Sequence, residues 1–176
     1  AALFDDSLEF QLVGYRLGIA HPTGYPLYTI LLKLFTLLSL GDVAYRANLS
    51  SAFFAAVAVT LVFLMIHTLT DSLSSGFFGA VALAVSPVFW SQAVVAEVYA
   101  LNAMFVAMVI LLVARLETDK GKQGETKGNK KVGIWGLGFG DLLAFVFGLS
   151  LTHHRTMILM LPALALYAWQ TANQQL

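Results

Sequence analysis

The sequence predicts an all-α integral membrane protein, and two observations carry that prediction. Of 176 residues, 59% are hydrophobic and 11% charged, with a mean hydropathy of +0.78; soluble domains are about half apolar and about a quarter charged. The apolar residues also fall into runs of membrane-helix scale, near 26–40, 47–69, 73–87, 98–116, 132–151 and 156–170. Ten Lys and Arg balance ten Asp and Glu, so no net field draws nucleic acid, and any charge argument rests on where the charges sit. The absence of cysteine excludes disulfides, thiolate metal sites and a thiol nucleophile. The opening Ala1-Ala2-Leu3-Phe4 has no signal-peptide pattern, and residues 1–176 read as a single membrane domain cut from a longer protein.

Taken in order, Asp5, Asp6 and Glu9 precede or open a helix over about 7–17, and His21-Pro22-Thr23-Gly24-Tyr25-Pro26 breaks it. The run 26–40 is short, carries Lys33 in its middle and is followed by Gly41-Asp42, which predicts a helix lying in the membrane interface. Residues 47–69 and 98–116 are long enough to cross. The run 73–87 reaches spanning length by continuing past Pro87 to Trp90, an interfacial residue. The glycine-rich 132–151 suits close helix packing, with Gly136 and Gly140 in small-xxx-small spacing. The last run, 156–170, ends in interfacial Tyr167 and Trp169, so the count is about five spans.

Orientation follows from the loop 117–131, whose Lys120, Lys122, Lys127, Lys130 and Lys131 follow Arg115 and place it in the cytoplasm. Counting back, the amino-terminal acids, the turn holding Gln92, Glu97 and Tyr99, and the His153-His154-Arg155 helix end share the outer side. Arg46 and Asn48 open the 47–69 span on that side too. An upright 26–40 would instead part Asp6 from Glu97. The loop 118–131 lacks apolar periodicity and is expected to be dispensable.

Ionisable groups near hydrocarbon are costly unless paired or hydrated, which makes this outer set a candidate site. Asp6 and Glu9 stand about 60° apart on a helix, with Phe10, Val13 and Leu17 on the same face. Two carboxylates among apolar neighbours suit a general base, because that setting raises at least one pKa; capping by Asp6 or Ser7 is the alternative. Glu97 is either an interfacial cap or a carboxylate of the site. His153 and His154 point about 100° apart and lack a second ligand motif, which favours a packed pair over metal ligands. Arg155 can grip a phosphate bidentately. The glycosylation triplet Asn48-Leu49-Ser50 opens a membrane helix and is discounted.

The motifs Asp6-Ser7-Leu8-Glu9-Phe10, Gly18 through Leu27, Ala44 through Leu49, Ala96 through Asn102 and Gly148 through Thr156 occur in the order of a known family. Together they make the chain resemble the transmembrane protein O-mannosyltransferase-like family, long described as a domain of unknown function, within the GT-C glycosyltransferase superfamily. The resemblance implies a GT-C-like helix bundle with juxtamembrane helices, and a polyprenyl-phosphate sugar as donor. It places the acid-x-x-Glu pattern on Asp6 and Glu9, the His-Pro-x-Gly-x-Pro pattern on His21 through Pro26, and a later acid on Glu97. Leu8 departs from the usual glycine, and His153-His154-Arg155 from the Asn-Gln-His type of the animal member.

The expected function is therefore transfer of a mannose-like sugar to a protein or glycan hydroxyl acceptor. Catalytic candidates are Asp6, Glu9 and Glu97; substrate-binding candidates are His21, Tyr25, Arg46, His154 and Arg155, with Arg46 and Lys33 alternatives to Arg155 as the phosphate ligand. Asp6 would accept the acceptor's proton, Arg155 would hold the leaving phosphate, and Glu97 would orient acceptor or sugar. No metal or other cofactor is expected, membrane lipid is the surrounding partner, and nucleic acid is not one. The expected location is a bacterial plasma membrane with the site outward, and the fragment alone is expected to be inactive. A secondary transporter and a non-catalytic scaffold are the rival classes; a transporter favours midplane sites and inverted repeats, which the sequence does not show. Asp6, Glu9, His21 and Glu97 should line one cavity with Arg155 at its rim, and the Asp6 and Glu97 carboxylates should stand within about 12 Å.

Overall fold

A computed structural model describes residues 2–123 and 138–173, and these are helical without strands. The order is α1 (Ala2–Arg16), α2 (Pro26–Thr36), α3 (Val43–Thr70), α4 (Leu73–Ala84), α5 (Pro87–Ala93), α6 (Val98–Gln123), α7 (Phe139–Leu151), a 3₁₀ helix (Arg155–Met160) and α8 (Leu161–Asn173). Two helices, α3 and the Val98–Thr118 part of α6, are long and apolar enough to cross a membrane, and α4 with α5 makes a third if that bent pair is one span.

The axis of the bundle is the pair α3 and α6. A buried stripe on α3, Ala47, Ser50, Ser51, Phe54, Ala55 and Ala58, recurs every three or four residues and consists mostly of small side chains, so α6 can approach closely. Its partner face on α6 is Leu101, Phe105, Val109 and Leu112. α3 starts where Asp42 Oδ1 accepts the Tyr45 N–H at 2.7 Å, an N-cap.

The helix predicted over about 7–17 starts earlier, at Ala2, so that Asp5 and Asp6 lie within it, and it ends one residue early. Leu17 turns into the left-handed region at φ 54 and the Gly18 N–H donates to the Val13 carbonyl at 3.0 Å, a Schellman closure that leaves Leu17 exposed instead of on the Phe10–Val13 face. α2 has 11 residues, about 16 Å of helix, far short of the roughly 30 Å hydrocarbon core. That length accords with an interfacial helix. α1 packs on α2 through Gly14, where a Cβ would overlap the fully buried Leu32 side chain. Gly14→Ala is expected to cost about 1–3 kcal/mol by overpacking, read as a lower Tm of the detergent-solubilised protein.

Two segments differ from the sequence reading. The run expected to continue straight to Trp90 bends by 68° between α4 and α5: Pro87 has no N–H for the ladder and holds Ser86 extended at ψ 124. The last run begins as a 3₁₀ helix before α8, and Pro162 sits in the first turn of α8, where its missing N–H costs nothing. In the glycine-rich run, Gly140 and Gly148 face open space with no helix against them among the described residues; Gly133 and Gly136 lie outside those residues. Of the lysine-rich loop, α6 extends through Gln123 and residues 124–131 lie outside the description. α6 carries the chain about 39 Å from Val98 to that loop, so the loop departs from the end of the bundle opposite Glu97.

Candidate functional site

The site is built at the end of the bundle where α6 begins. On α1, the buried Phe10 forms the floor. Its ring meets His21 at 5.6 Å, Tyr25 at 5.7 Å and Tyr28 at 5.1 Å. These contacts fold the His21–Pro26 break back over α1. Tyr25 takes a left-handed φ of 42, unfavourable for a bulky residue and sustained by its packing against Phe10, His21, His153 and His154.

Glu9 fastens the same loop. One carboxylate oxygen accepts the His21 backbone N–H at 2.7 Å and the other meets His21 Nδ1 at 2.9 Å. The hydrogen bonds from the His21 side chain and then its backbone hold the Glu9 carboxyl below the usual range. An apolar setting alone would push it up; the paired hydrogen bonds win. Asp6, one helical turn earlier, is exposed. Its carboxylate oxygen, one of Glu9 and a ring nitrogen of His21 lie within 4.8 Å of one another. That spacing could admit a divalent cation, although Glu9 and His21 already satisfy each other.

Glu97 is the buried acid of the site, 4% exposed in the α5–α6 connection. α3 holds this connection by its main chain. Asn48 Oδ1 accepts the Ala96 N–H at 2.9 Å, and Ser51 Oγ accepts the Glu97 N–H at 3.2 Å. Burial pushes the Glu97 carboxyl up to about 7, and the charge of Asp6 adds to it, while the Val98 N–H and His21 pull the other way. Asp6 and His21 are therefore in electrostatic reach of Glu97. Tyr28, fully buried, has its hydroxyl beside Ser50 and Ser51 under the same acid.

The end of α7 packs against the His21–Pro26 loop through Tyr25. His154 stands between Tyr25 and Tyr99, with ring centroids at 6.0 and 6.1 Å, and its Nδ1 accepts the Thr156 backbone N–H at 3.3 Å, capping the 3₁₀ helix, with the Thr156 hydroxyl at 2.7 Å beside it. Arg155 is exposed, with no hydrogen bond or ion pair to the described residues.

Arg46 sits elsewhere. Its guanidinium donates to the Thr36 and Leu38 carbonyls at 2.7 and 2.9 Å and to the Asp42 carbonyl at 3.1 Å, which caps the C-terminus of α2. Lys33 is likewise occupied, by the Tyr15 carbonyl at 2.6 Å and the Tyr15 ring. Arg46→Ala is expected to lower stability by about 1–3 kcal/mol through these unsatisfied carbonyls while leaving the KM of a sugar donor within about twofold; thermal unfolding and kinetics of the full-length protein check both.

The sequence reading passed over Ser51, Tyr28 and the role of Asn48. Asn48 and Ser51 are three residues apart on one face of an otherwise apolar helix. That spacing was the available signal. Bonding of Asn48 to Ala96 also accounts for its triplet as packing.

Comparison with known proteins agrees with this picture. Over residues 6–176 the chain matches the family described as Protein O-mannosyl-transferase TMEM260 N-terminal domain. It is 37% identical over 155 residues to the protein of Mus musculus named Protein O-mannosyl-transferase TMEM260, covering 88% of this chain and 20% of that protein. To the Dictyostelium discoideum protein of the same name it is 30% identical over 110 residues, 61% of this chain and 13% of that one. The chain thus spans a fifth or less of these relatives. No solved structure matches it. Both relatives are eukaryotic, which lends no support to a bacterial membrane in particular. With nearly its whole length matched and its helices of membrane length, the chain belongs to the family of the TMEM260 protein O-mannosyl-transferase N-terminal domain.

Proposed function

We propose that this chain forms the acidic half of the active site of a membrane glycosyltransferase of GT-C type, which transfers mannose or a similar sugar from a polyprenyl-phosphate to a hydroxyl of a protein or glycan acceptor on the outer or lumenal face. The observation that carries the reading is the gathering of Asp6, Glu9, His21 and Glu97 at one end of the bundle, with His154 packed on Tyr25 and the exposed Arg155 next to it in the chain. Acids at one end, not at the midplane, favour transfer over ion-coupled transport.

In the proposed reaction Asp6 takes the proton of the acceptor hydroxyl as that oxygen bonds to the anomeric carbon. The bond from that carbon to the phosphate oxygen breaks on the opposite face, which inverts the centre and leaves polyprenyl phosphate. Arg155 meets the growing negative charge on the phosphate. Glu9 sets the His21–Tyr25 loop, and Glu97 orients acceptor or sugar. No metal or other cofactor is invoked. An apolar groove of about 590 Å³, lined by residues including Leu83, Phe89, Gln92, Tyr99 and Ala103, opens beside Tyr99 and suits the first isoprene units of the donor. The test is incubation of the full-length protein with radiolabelled polyprenyl-phosphate mannose and acceptor: labelled acceptor is expected with wild type, and its absence, with donor and acceptor shown intact, overturns the reading.

A further inference from the structure

His153 belongs to none of the steps above, yet it reaches from the end of α7 to the residue that follows Glu97. It is 1% exposed. Its ring is enclosed by Tyr25, Tyr28, Phe105 and His154 at centroid distances of 6.0–6.4 Å. Its Nε2 lies 3.0 Å from the carbonyl of Val98, the residue after Glu97. A carbonyl only accepts, so Nε2 carries the hydrogen and the neutral ring presents Nδ1 as its bare nitrogen. That Nδ1 is buried without a partner among the described residues.

We propose that His153 is a positioning residue for Glu97: its Nε2–H bond to the Val98 carbonyl completes a clamp whose other jaw is Asn48 and Ser51, and so fixes where the Glu97 carboxyl stands relative to Asp6. The inference rests on the reading of Glu97 as a site carboxylate. The three bonds act on consecutive residues, Ala96, Glu97 and Val98, two from α3 and one from the turn after α7. Without His153 the segment is held from α3 alone. The Val98 carbonyl lies in the first turn of α6, so losing its extra donor spares the helix but frees the turn before it. A displacement of about 1 Å in a reacting group can cost about 10²-fold in rate. His153 is neutral at neutral pH, because burial pushes its pKa down to about 4. The titratable groups that act on Glu97 are Asp6 on α1 and His21 in the loop, with Tyr28 on α2 in electrostatic reach of it. Arg46 on α3 is turned to the α2 carbonyls.

The experiment compares His153→Leu and His153→Gln in the full-length protein. Gln can place its Nε2–H near the position of the imidazole Nε2–H; Leu fills similar space without a donor. For His153→Leu, normalised to folded protein, kcat should fall about 10- to 100-fold with donor KM within about threefold. The Glu97 carboxyl, followed by infrared difference spectroscopy against Glu97→Gln, should titrate at lower pH than in wild type, since water reaches a loosened turn. His153→Gln should recover both. Lowered thermal stability with an unmoved Glu97 titration, or no recovery by Gln, overturns the proposal and leaves His153 a packing residue. The infrared titration needs no substrate, so it decides the clamp even if no sugar transfer is found; a wild type without transfer overturns the functional reading alone.

Discussion

Replacing Asp6 by Asn in the full-length protein is expected to lower sugar transfer by about 10²- to 10⁴-fold, the range for loss of a general base, with donor KM and thermal stability nearly unchanged. Asp6 is exposed and makes no hydrogen bond to the described residues, so the amide removes a proton acceptor without breaking a structural contact. Glu9 provides the contrast. It holds His21 through both carboxylate oxygens, so Glu9→Gln should weaken the loop as well as the rate, and its Tm should fall. A full rate for Asp6→Asn, assayed by transfer of labelled mannose, would remove Asp6 from the chemistry and leave Glu9 and Glu97 as the remaining acids.

The parts of this site governed by local periodicity were legible in the sequence. A 100° step per residue puts Asp6 and Glu9 on the side of Phe10 and Val13, and the structure buries Phe10 and Val13 there. Two prolines within six residues, Pro22 and Pro26, force the break that returns His21 to Glu9. What stayed hidden depends on partners distant in sequence. Arg46 looked like a phosphate ligand because an arginine at a membrane-helix end has that capacity; its use is set by Thr36 and Leu38 carbonyls, whose freedom depends on where α2 stops. His153 and His154 are adjacent in sequence, yet one is sealed against Val98 and the other caps a 3₁₀ helix at the site. No pattern in that dipeptide says which is which. The sign of the Glu9 shift was hidden for the same reason: it depends on two bonds spanning twelve residues.

Glu97 should give the site its pH dependence. Its folded-state pKa is raised to about 7 by burial and by the Asp6 charge, against about 4.3 for an unfolded glutamate. Below about 7 the carboxyl is neutral and can donate a hydrogen bond to a sugar or acceptor oxygen; above it, a second negative charge stands beside Asp6 and the donor phosphate. Transfer is therefore expected to decline as pH rises through about 7. Glu97→Gln, which keeps a neutral donor, should retain most activity and lose that falling limb, whereas Glu97→Ala should lose activity at every pH. Linkage fixes the sign of the stability effect. Between about pH 4.3 and 7 the folded state keeps a proton that the unfolded state has released, so the stability contributed by Glu97 falls as pH rises across that window and is constant above it. The difference is at most about 4 kcal/mol. In thermal unfolding, Glu97→Gln should thus gain Tm over wild type at pH 8 and match it near pH 4. An equal Tm difference at both pH values would mean that the carboxyl is not held neutral by the fold, and the proposed orienting role of Glu97 would fall with it.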